Sequence, residues 1–258
     1  MNESTAMSSL SLEGQVAVVT GGGTGIGRAI ALEFAEAGAD VAVAGRRFEA
    51  LEEVAGEVRA RGRRALAFQT DISVRTEVLR LVEAVVGGFG AIDILVNNAG
   101  TTSEFRGAFV DHPEEVWDTN YETNFKGYFH CCQLVGKHMI ERGKGNIVNV
   151  ASIGGFTHHQ KSPSPYSVSK ASMLVNAKGL SHEFGAHGIR INSIAPGYVE
   201  TDLGPASDGL KSEDVAARTV IGRVATPCDI AHIALFLASD LSRHIVGETI
   251  VADGGGYR

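Results

Sequence analysis

The sequence has few of the residues that stabilise small secreted domains or hold structural metals. Only three cysteines occur among 258 residues. Cys131 and Cys132 are neighbours, and Cys228 lies far along the chain. Neither a disulfide framework nor a metal-ligand spacing emerges from these positions. We therefore expect a reducing compartment and no metal site.

Long apolar runs and an excess of basic residues are also missing. No apolar run is long enough to cross a bilayer, and residues 1–11 lack the charged and apolar segments of a secretion signal. Lysine and arginine number 23 against 30 acidic residues, a formal charge of -7, which argues against a nucleic-acid-binding surface. We expect a cytoplasmic protein that binds neither membranes nor nucleic acids.

The sequence does contain short apolar runs that alternate with helical segments. The runs cover residues 16–19, 41–44, 65–68, 94–96, 147–150, 189–194 and 250–252. Continuous apolar strands separated by helices are typical of a parallel sheet covered on both faces. We predict an α/β fold, a Rossmann-type doubly wound parallel sheet of about seven strands with helices on both faces. It forms a single domain over residues 12–258 after a flexible tail at residues 1–11.

A glycine-rich turn follows the first predicted strand. It reads Thr20-Gly21-Gly22-Gly23-Thr24-Gly25-Ile26-Gly27, and an apolar-faced helix comes next. Glycines let a backbone approach a pyrophosphate, and a helix N-terminus presents free N–H groups to it. The order of strand, turn and helix therefore predicts a dinucleotide-binding site rather than an ordinary glycine turn.

Tyr166 and Lys170 stand four residues apart in a predicted helix, and this spacing places them on one face. A free tyrosine has a pKa of about 10, so it needs a fixed positive charge nearby to favour its phenolate at neutral pH. Lys170 can supply that charge. The pair alone is compatible with an acid/base site or with a solvated helix face.

Further motifs make the sequence similar to the classical short-chain dehydrogenases/reductases. The spacing Gly21-x-x-x-Gly25-x-Gly27 resembles the glycine turn of that family, and the resemblance covers nearly the whole chain. The other landmarks, in family order, are Asp71, Asn97-Asn98-Ala99-Gly100, Asn124, Ser152, Tyr166, Lys170, Pro196-Gly197 with Thr201, and Asp253-Gly254-Gly255.

The resemblance assigns a catalytic role to four residues. Ser152, which follows a predicted strand, holds the substrate oxygen. Tyr166 passes a proton to or from that oxygen while hydride moves between the substrate and the nicotinamide. Lys170 lowers the tyrosine pKa and binds the nicotinamide ribose, and Asn124 anchors a water in a proton relay to Lys170. Taken singly, each of the four also has an ordinary structural interpretation.

The resemblance also implies a set of cofactor-binding residues. They are Gly21, Thr24, Gly25, Ile26, Gly27, Arg46, Arg47, Asp71, Ile72, Asn98, Ala99, Gly100, Tyr166, Lys170, Pro196, Gly197, Val199 and Thr201. After the second strand, an acid would bond the ribose hydroxyls of NAD(H), but the sequence has Gly45-Arg46-Arg47. Arginine pairs with the extra phosphate of NADP(H). We favour NADP(H) over NAD(H), with Arg46 as the preferred phosphate ligand, although an arginine here can also be simply solvated.

Substrate recognition falls in loops, where sequence is least informative. Ser152, His158, His159 and Lys161 are candidate contacts to an anionic or polyhydroxylated substrate, though loop histidines often have no specific role. Residues 202–223 contain Gly204, Pro205 and Gly209 and resemble a mobile lid.

These features lead to three functional hypotheses. The first is an NAD(P)-dependent oxidoreductase acting on a small polar secondary alcohol or ketone such as a sugar, sugar acid or polyol. The alternative is a reductase of 3-oxoacyl thioesters, and the third is a catalytically silent dinucleotide-binding sensor. By resemblance, we expect a homotetramer that pairs helices over residues 113–142 and 166–187 and uses the C-terminal region for further contacts.

Overall fold

A computed structural model describes residues 9–102, 107–157, 164–202 and 209–256. Within them, seven parallel strands form one sheet in the order β3-β2-β1-β4-β5-β6-β7. The strands are β1 (Val16–Thr20), β2 (Asp40–Gly45), β3 (Ala65–Gln69), β4 (Ile94–Asn97), β5 (Gly145–Val150), β6 (Ile189–Pro196) and β7 (Thr249–Ala252). The predicted parallel sheet is confirmed, and each apolar run forms the centre or most of one strand.

Helices connect the strands and cover the sheet. They are α1 (Gly25–Glu36), α2 (Phe48–Ala60), α3 (Arg75–Phe89), α4 (Glu114–Asn120), α5 (Tyr128–Arg142), α6 (Pro165–Gly185), α7 (Ser212–Ala216) and α8 (Pro227–Ala238). A π-helical segment, Tyr121–Gly127, joins α4 to α5. The helix predicted over residues 113–142 is therefore present, but its middle is wound more widely than an α-helix.

Hydrophobic packing on both faces explains the apolar character of the strands. In β1, Ala17 and Val19 pack against one face, and Val16 and Val18 against the other. Helices α1, α2 and α8 cover the first face, and α3, α5 and α6 cover the second. Successive side chains of a strand point to opposite faces of the sheet. When both faces are buried, every position of the strand is apolar, and no alternation of polar and apolar residues is seen.

The strand order reverses beside β1, and this reversal positions the candidate site. β1 pairs with β2 on one side and with β4 on the other. The chain therefore leaves the carboxyl ends of β1 and β4 in opposite directions, which opens a crevice between them. The glycine-rich turn after β1 and the Asn98-Ala99-Gly100 segment after β4 both begin at this edge.

The N-terminus of α8 shows how local sequence fixes an element boundary. Thr226 Oγ1 accepts from the Asp229 N–H, and the Asp229 carboxylate accepts from the Thr226 N–H at 2.7 Å. Pro227 occupies the first turn, as the sequence predicts. The Arg223 guanidinium beside Asp229 holds the pKa of that carboxyl well below its usual value. The capping box and this ion pair define where α8 begins.

The three cysteines are free thiols in the structure. Cys131 and Cys132 are buried in α5, and burial raises the pKa of the Cys132 thiol to about 12. Cys228 is exposed near the start of α8. Across the described ranges, no group of three or more metal-binding side chains comes together, and no helix is long and apolar enough to span a membrane.

Candidate active site

A cavity of about 1130 Å³ opens at the carboxyl edge of the sheet. Its wall includes most of the residues that the sequence identifies as cofactor-binding or catalytic. They are Gly21, Thr24, Gly25, Ile26, Arg46, Arg47, Asp71, Ile72, Asn98, Ala99, Gly100, Ser152, Tyr166, Lys170, Pro196, Gly197, Val199 and Thr201. Gly27 and Asn124 do not belong to this wall; they lie behind it.

The glycine-rich turn presents an uncapped helix end to the cavity. Thr24 is the N-cap of α1 in an extended conformation, and its side chain makes no capping bond. The first-turn N–H groups have no acceptor within the helix, and Gly25 and Ile26 border the cavity. Such an end attracts anions through its N–H groups and its dipole. The cradle therefore fits a pyrophosphate, in agreement with the predicted dinucleotide site.

Close backbone packing holds this turn in place. Gly21 has φ +65°, and a Cβ there would lie 2.8 Å from Asn98 Nδ2. Gly27 packs against the Gly21 carbonyl, so a side chain would push α1 away from the turn. Both glycines serve close approach within the protein. Gly27 thus shapes the site from behind.

A hydrogen-bond cluster ties the ends of β1 and β4 together. Thr20 Oγ1 accepts from the N–H groups of Asn98 at 3.0 Å and Ala99 at 3.1 Å. Asn98 Nδ2 donates to the carbonyls of Thr20 and Gly21. The pocket floor and the glycine turn therefore form one rigid unit.

Arginines border the cavity where β2 ends. Arg46 and Arg47 both belong to the wall, and Arg47 Nη2 donates to Thr24 Oγ1 at 3.1 Å. Asp71, which follows β3, accepts from the N–H and hydroxyl of Ser73 and so also stabilises a turn. This end of the cavity fits an anionic group beside the arginines.

Ser152 and Tyr166 flank the backbone of Gly154. Ser152 follows β5, and its Oγ accepts from the Gly154 N–H at 3.0 Å. A Cβ on Gly154 would lie 3.3 Å from Ser152 Oγ and 3.7 Å from Tyr166 Cε1. The hydroxyl and the phenol ring thus reach the same part of the cavity from β5 and α6.

Lys170 lies beneath the tyrosine as the four-residue spacing predicts. Its Nζ is 5.8 Å from the centre of the Tyr166 ring and donates to the Val150 carbonyl at 2.9 Å. The residue is only 4% exposed, and burial lowers the pKa of Lys170 to about 8. A buried cation beside a phenol favours the phenolate, so this arrangement allows Tyr166 to donate or accept a proton.

Asn124 lies in the π-helical segment and connects three parts of the site. Its Oδ1 accepts from the Thr101 N–H at 2.8 Å, and its Nδ2 lies 2.9 Å from the Thr101 carbonyl. Nδ2 also lies 3.0 Å from Ser169 Oγ, which in turn donates to the Tyr166 carbonyl. A Cβ on Gly100 would meet both Asn124 and Lys170, so this glycine lets the two side chains approach each other.

Several contacts of the site are absent from the sequence predictions. The Val150 carbonyl that holds Lys170 and the Ser169 hydroxyl that holds Asn124 depend on pairs of residues far apart in sequence. Arg218 also lines the cavity, beyond the short helix α7. Its position within the lid predicted over residues 202–223 was the one feature of the sequence that indicated a place near the substrate. His158, His159 and Lys161 lie outside the described residues, as do residues 203–208 of that lid.

Known proteins share this sequence and architecture. A family model described as Enoyl-(Acyl carrier protein) reductase matches residues 21–257. The chain is 37% identical over 244 residues to 3-oxoacyl-(acyl-carrier-protein) reductase FabG of Staphylococcus aureus strain Mu50, covering 93% of this chain and 97% of that protein. It is also 37% identical over 252 residues to (2S)-((R)-hydroxy(phenyl)methyl)succinyl-CoA dehydrogenase subunit BbsD of Thauera aromatica, covering 95% and 98%.

A solved structure agrees with these sequence matches. The short-chain dehydrogenase of Burkholderia cenocepacia J2315 in complex with NADP superposes with a TM-score of 0.88 at 33% identity, over 96% of this chain and 99% of that one. The chain therefore belongs to the classical short-chain dehydrogenase/reductase family, and it is an oxidoreductase of CH–OH and ketone groups.

Proposed function

We propose that the protein reduces 3-oxoacyl thioesters to 3-hydroxyacyl thioesters. The main support for this reaction is that one cavity contains Ser152, Tyr166 and the buried Lys170 together with the uncapped N-terminus of α1. The substrate class rests on relatives: FabG is named for a 3-oxoacyl thioester, and BbsD for a hydroxyacyl-CoA thioester. These names favour the thioester alternative over the sugar or polyol substrate that sequence analysis preferred.

For the cofactor, we propose NADP(H). The wall carries Arg46 and Arg47 beside Gly45, where NAD(H) enzymes of this fold use an acid. The guanidinium fork suits a phosphate, and Arg47 is already anchored to Thr24 of the glycine-rich turn. The NADP bound to the Burkholderia relative supports the same preference.

The proposed mechanism assigns one task to each catalytic side chain. A reduced nicotinamide cofactor held by the glycine-rich turn and the cavity wall would supply the hydride for the C3 carbonyl carbon. Ser152 Oγ donates a hydrogen bond to the keto oxygen and orients it. Tyr166 transfers its phenolic proton to that oxygen as the C–O double bond becomes single, so no free alkoxide persists.

Lys170 and Asn124 support the tyrosine in this scheme. The positive charge of Lys170 stabilises the phenolate that remains after proton transfer. Asn124 holds the Thr101 backbone beside Lys170, and the resemblance gives it a water of the relay that restores the proton. Burial of both residues keeps this path away from bulk solvent except through the cavity.

Nicotinamide absorbance tests the proposal. The wild-type protein and Tyr166→Phe would be assayed with NADPH and NADH against 3-oxoacyl thioesters, sugars, sugar acids and polyols. We expect NADPH oxidation with thioesters, and a loss of about 10³-fold in Tyr166→Phe because the proton donor is removed. Tyr121→Phe, which removes an exposed phenol outside the cavity wall, serves as the matched control and retains activity.

Other outcomes point to the other hypotheses. Turnover of polyols but not thioesters would restore the first substrate class. Binding of NADPH without hydride transfer to any substrate would favour the dinucleotide sensor. Full activity in Tyr166→Phe would refute the role of the tyrosine.

A further inference from the structure

One charged residue of the cavity wall, Arg218, has no role in the mechanism proposed above. Among the described residues, the charged side chains of the wall are Arg46, Arg47, Asp71, Lys170, Asp202 and Arg218. Arg46 and Arg47 lie at the cofactor end, and Lys170 supports Tyr166. Arg218 makes no side-chain hydrogen bond or ion pair to any described residue, including Asp202 in the same wall. Arg218 is an exposed residue of this wall, so its side chain is available to a ligand.

The backbone on both sides of Arg218 is fixed by hydrogen bonds. Its own N–H donates to the Val215 carbonyl at 3.0 Å, at the end of α7. Two residues later, the Val220 N–H donates to the Gly254 carbonyl at 2.8 Å, next to β7. The side chain thus starts from a fixed point on the cavity wall, which reduces the ordering cost when it binds a ligand.

The chemistry of arginine restricts the class of ligand that Arg218 would bind. A guanidinium is permanently charged and binds carboxylate or phosphate oxygens through two parallel N–H bonds. The chain carries a formal charge of -7, so an anionic substrate gains most from a local cation at its binding site. The substrate proposed above offers such groups, since a phosphopantetheine arm carries a phosphate and some acyl chains carry a carboxylate.

We propose that Arg218 is a specificity-determining residue that binds an oxyanion of the substrate. The oxyanion is either the phosphate of a phosphopantetheine arm or a carboxylate on the acyl chain. This inference rests on the proposed thioester reductase activity. It adds a preference for anionic over neutral thioesters and assigns that preference to one side chain.

Three matched thioesters distinguish the two sources of the oxyanion. 3-Oxohexanoyl-pantetheine is neutral, 3-oxohexanoyl-phosphopantetheine adds the phosphate, and 3-oxoadipyl-pantetheine adds an acyl carboxylate to the same six-carbon chain. KM and kcat would be measured for each with NADPH at low and high salt. For the wild type, we expect KM about tenfold lower for at least one anionic substrate than for the neutral one, with the advantage decreasing at high salt.

Variants then assign the preference to Arg218. Arg218→Gln should raise KM about tenfold for the preferred anionic substrate and leave KM for the neutral thioester and kcat unchanged. Arg218→Lys should retain part of the preference, because it keeps the charge without the fork. Arg243→Gln is the matched control, since it removes an exposed arginine that is not part of the cavity wall.

The outcomes separate this inference from the proposed function. A wild-type preference for the phosphate or the carboxylate that Arg218→Gln abolishes supports the inference and identifies the source. Equal KM for all three substrates in the wild type, or an anionic preference that persists in Arg218→Gln, overturns the inference and leaves the thioester activity standing. Absence of turnover even with the neutral thioester overturns the proposed function and this inference together.

Discussion

In the proposed mechanism, Lys170 is the residue at which the requirements of catalysis and stability conflict. The residue is 4% exposed, and its ammonium group lies beside Tyr166 and donates to the Val150 carbonyl at 2.9 Å. Burial of a cation favours its neutral form, and this lowers the pKa to about 8. The same charge is what favours the tyrosine phenolate. The site therefore retains a buried charge, and a protein optimised for stability alone would not keep that charge.

This conflict predicts a pH-dependent stability difference between wild type and Lys170→Met. Below pH 8 the folded and unfolded states are both protonated, and the wild type bears the full cost of the buried charge, on the order of 3 kcal/mol. Between pH 8 and 10.5 the folded lysine is neutral while the unfolded one stays charged, so wild-type stability rises relative to the variant. Urea unfolding across pH 7–10.5 measures this difference.

A control on the same helix isolates the effect of burial. Lys178 is exposed on α6, so Lys178→Met should show no such trend between pH 8 and 10.5. A stability difference for Lys170→Met that stays constant over this range would show that the lysine is not neutralised in the folded state.

A second prediction at this scale concerns the arginines at the cofactor end. Replacing Arg46 by alanine should raise KM for NADPH about tenfold and leave KM for NADH nearly unchanged, because only NADPH carries the extra phosphate. Arg47→Ala tests the neighbouring guanidinium, which Thr24 anchors. Steady-state kinetics with both cofactors measures the ratio of KM for NADPH to KM for NADH in each variant. An equal loss for NADPH and NADH would assign Arg46 to general binding rather than to phosphate recognition.

At the scale of single residues, the sequence identified side chains that line the cavity better than it identified the contacts that hold them. Ser152, Tyr166 and Lys170 were predicted because their residue types and order match a known family, and the structure brings them to one cavity. The bond from Lys170 to the Val150 carbonyl joins residues 20 positions apart. A backbone carbonyl has no sequence signature, so this contact became visible only once β5 and α6 were placed side by side.

Among the elements, α8 offers a quantitative test of a predicted helix start. Thr226→Ala removes the side-chain acceptor for the Asp229 N–H and should cost about 1 kcal/mol of unfolding free energy. Thr226→Ser keeps the hydroxyl and should cost much less. Chemical denaturation measures both. Equal losses in the two variants would assign the effect to the threonine methyl group instead of the cap.

The segment from α4 to α5 shows where element prediction reaches its limit. The residues favour one long helix, and residues 114–142 do follow a continuous helical path. The π-helical turns at Tyr121–Gly127 accommodate the Asn124 side chain, which bonds the Thr101 backbone on another segment. Helical periodicity indicates which face of a helix is buried, so a local change from α-helical to π-helical winding is not visible in it.

For the whole molecule, the parallel sheet was predictable because two-sided burial leaves a direct mark on sequence. β1, β2 and β4 are almost entirely apolar, and right-handed crossovers then restrict the possible topologies. Subunit association leaves a weaker mark, since a few apolar residues on a helix surface are common on monomers as well. The surfaces of α5 and α6 nevertheless carry large exposed apolar side chains at Phe129 and Val175.

We propose that these surfaces pair between subunits in a homotetramer. Val168 and Val175 are 53% and 74% exposed and lie seven residues apart on α6, so they share a face. Light scattering of the purified wild type should therefore give the mass of four 27.2 kDa chains. Val175→Glu should lower that mass by placing a charge in a desolvated interface.

The matched control introduces the same charge elsewhere. Val110 is 87% exposed and lies outside both helices, so Val110→Glu should leave the mass unchanged. Loss of assembly in Val175→Glu alone, with circular dichroism like that of the wild type, assigns the interface to α6. A monomeric wild type would refute the proposed tetramer, and an unchanged mass in Val175→Glu would move the interface to another surface.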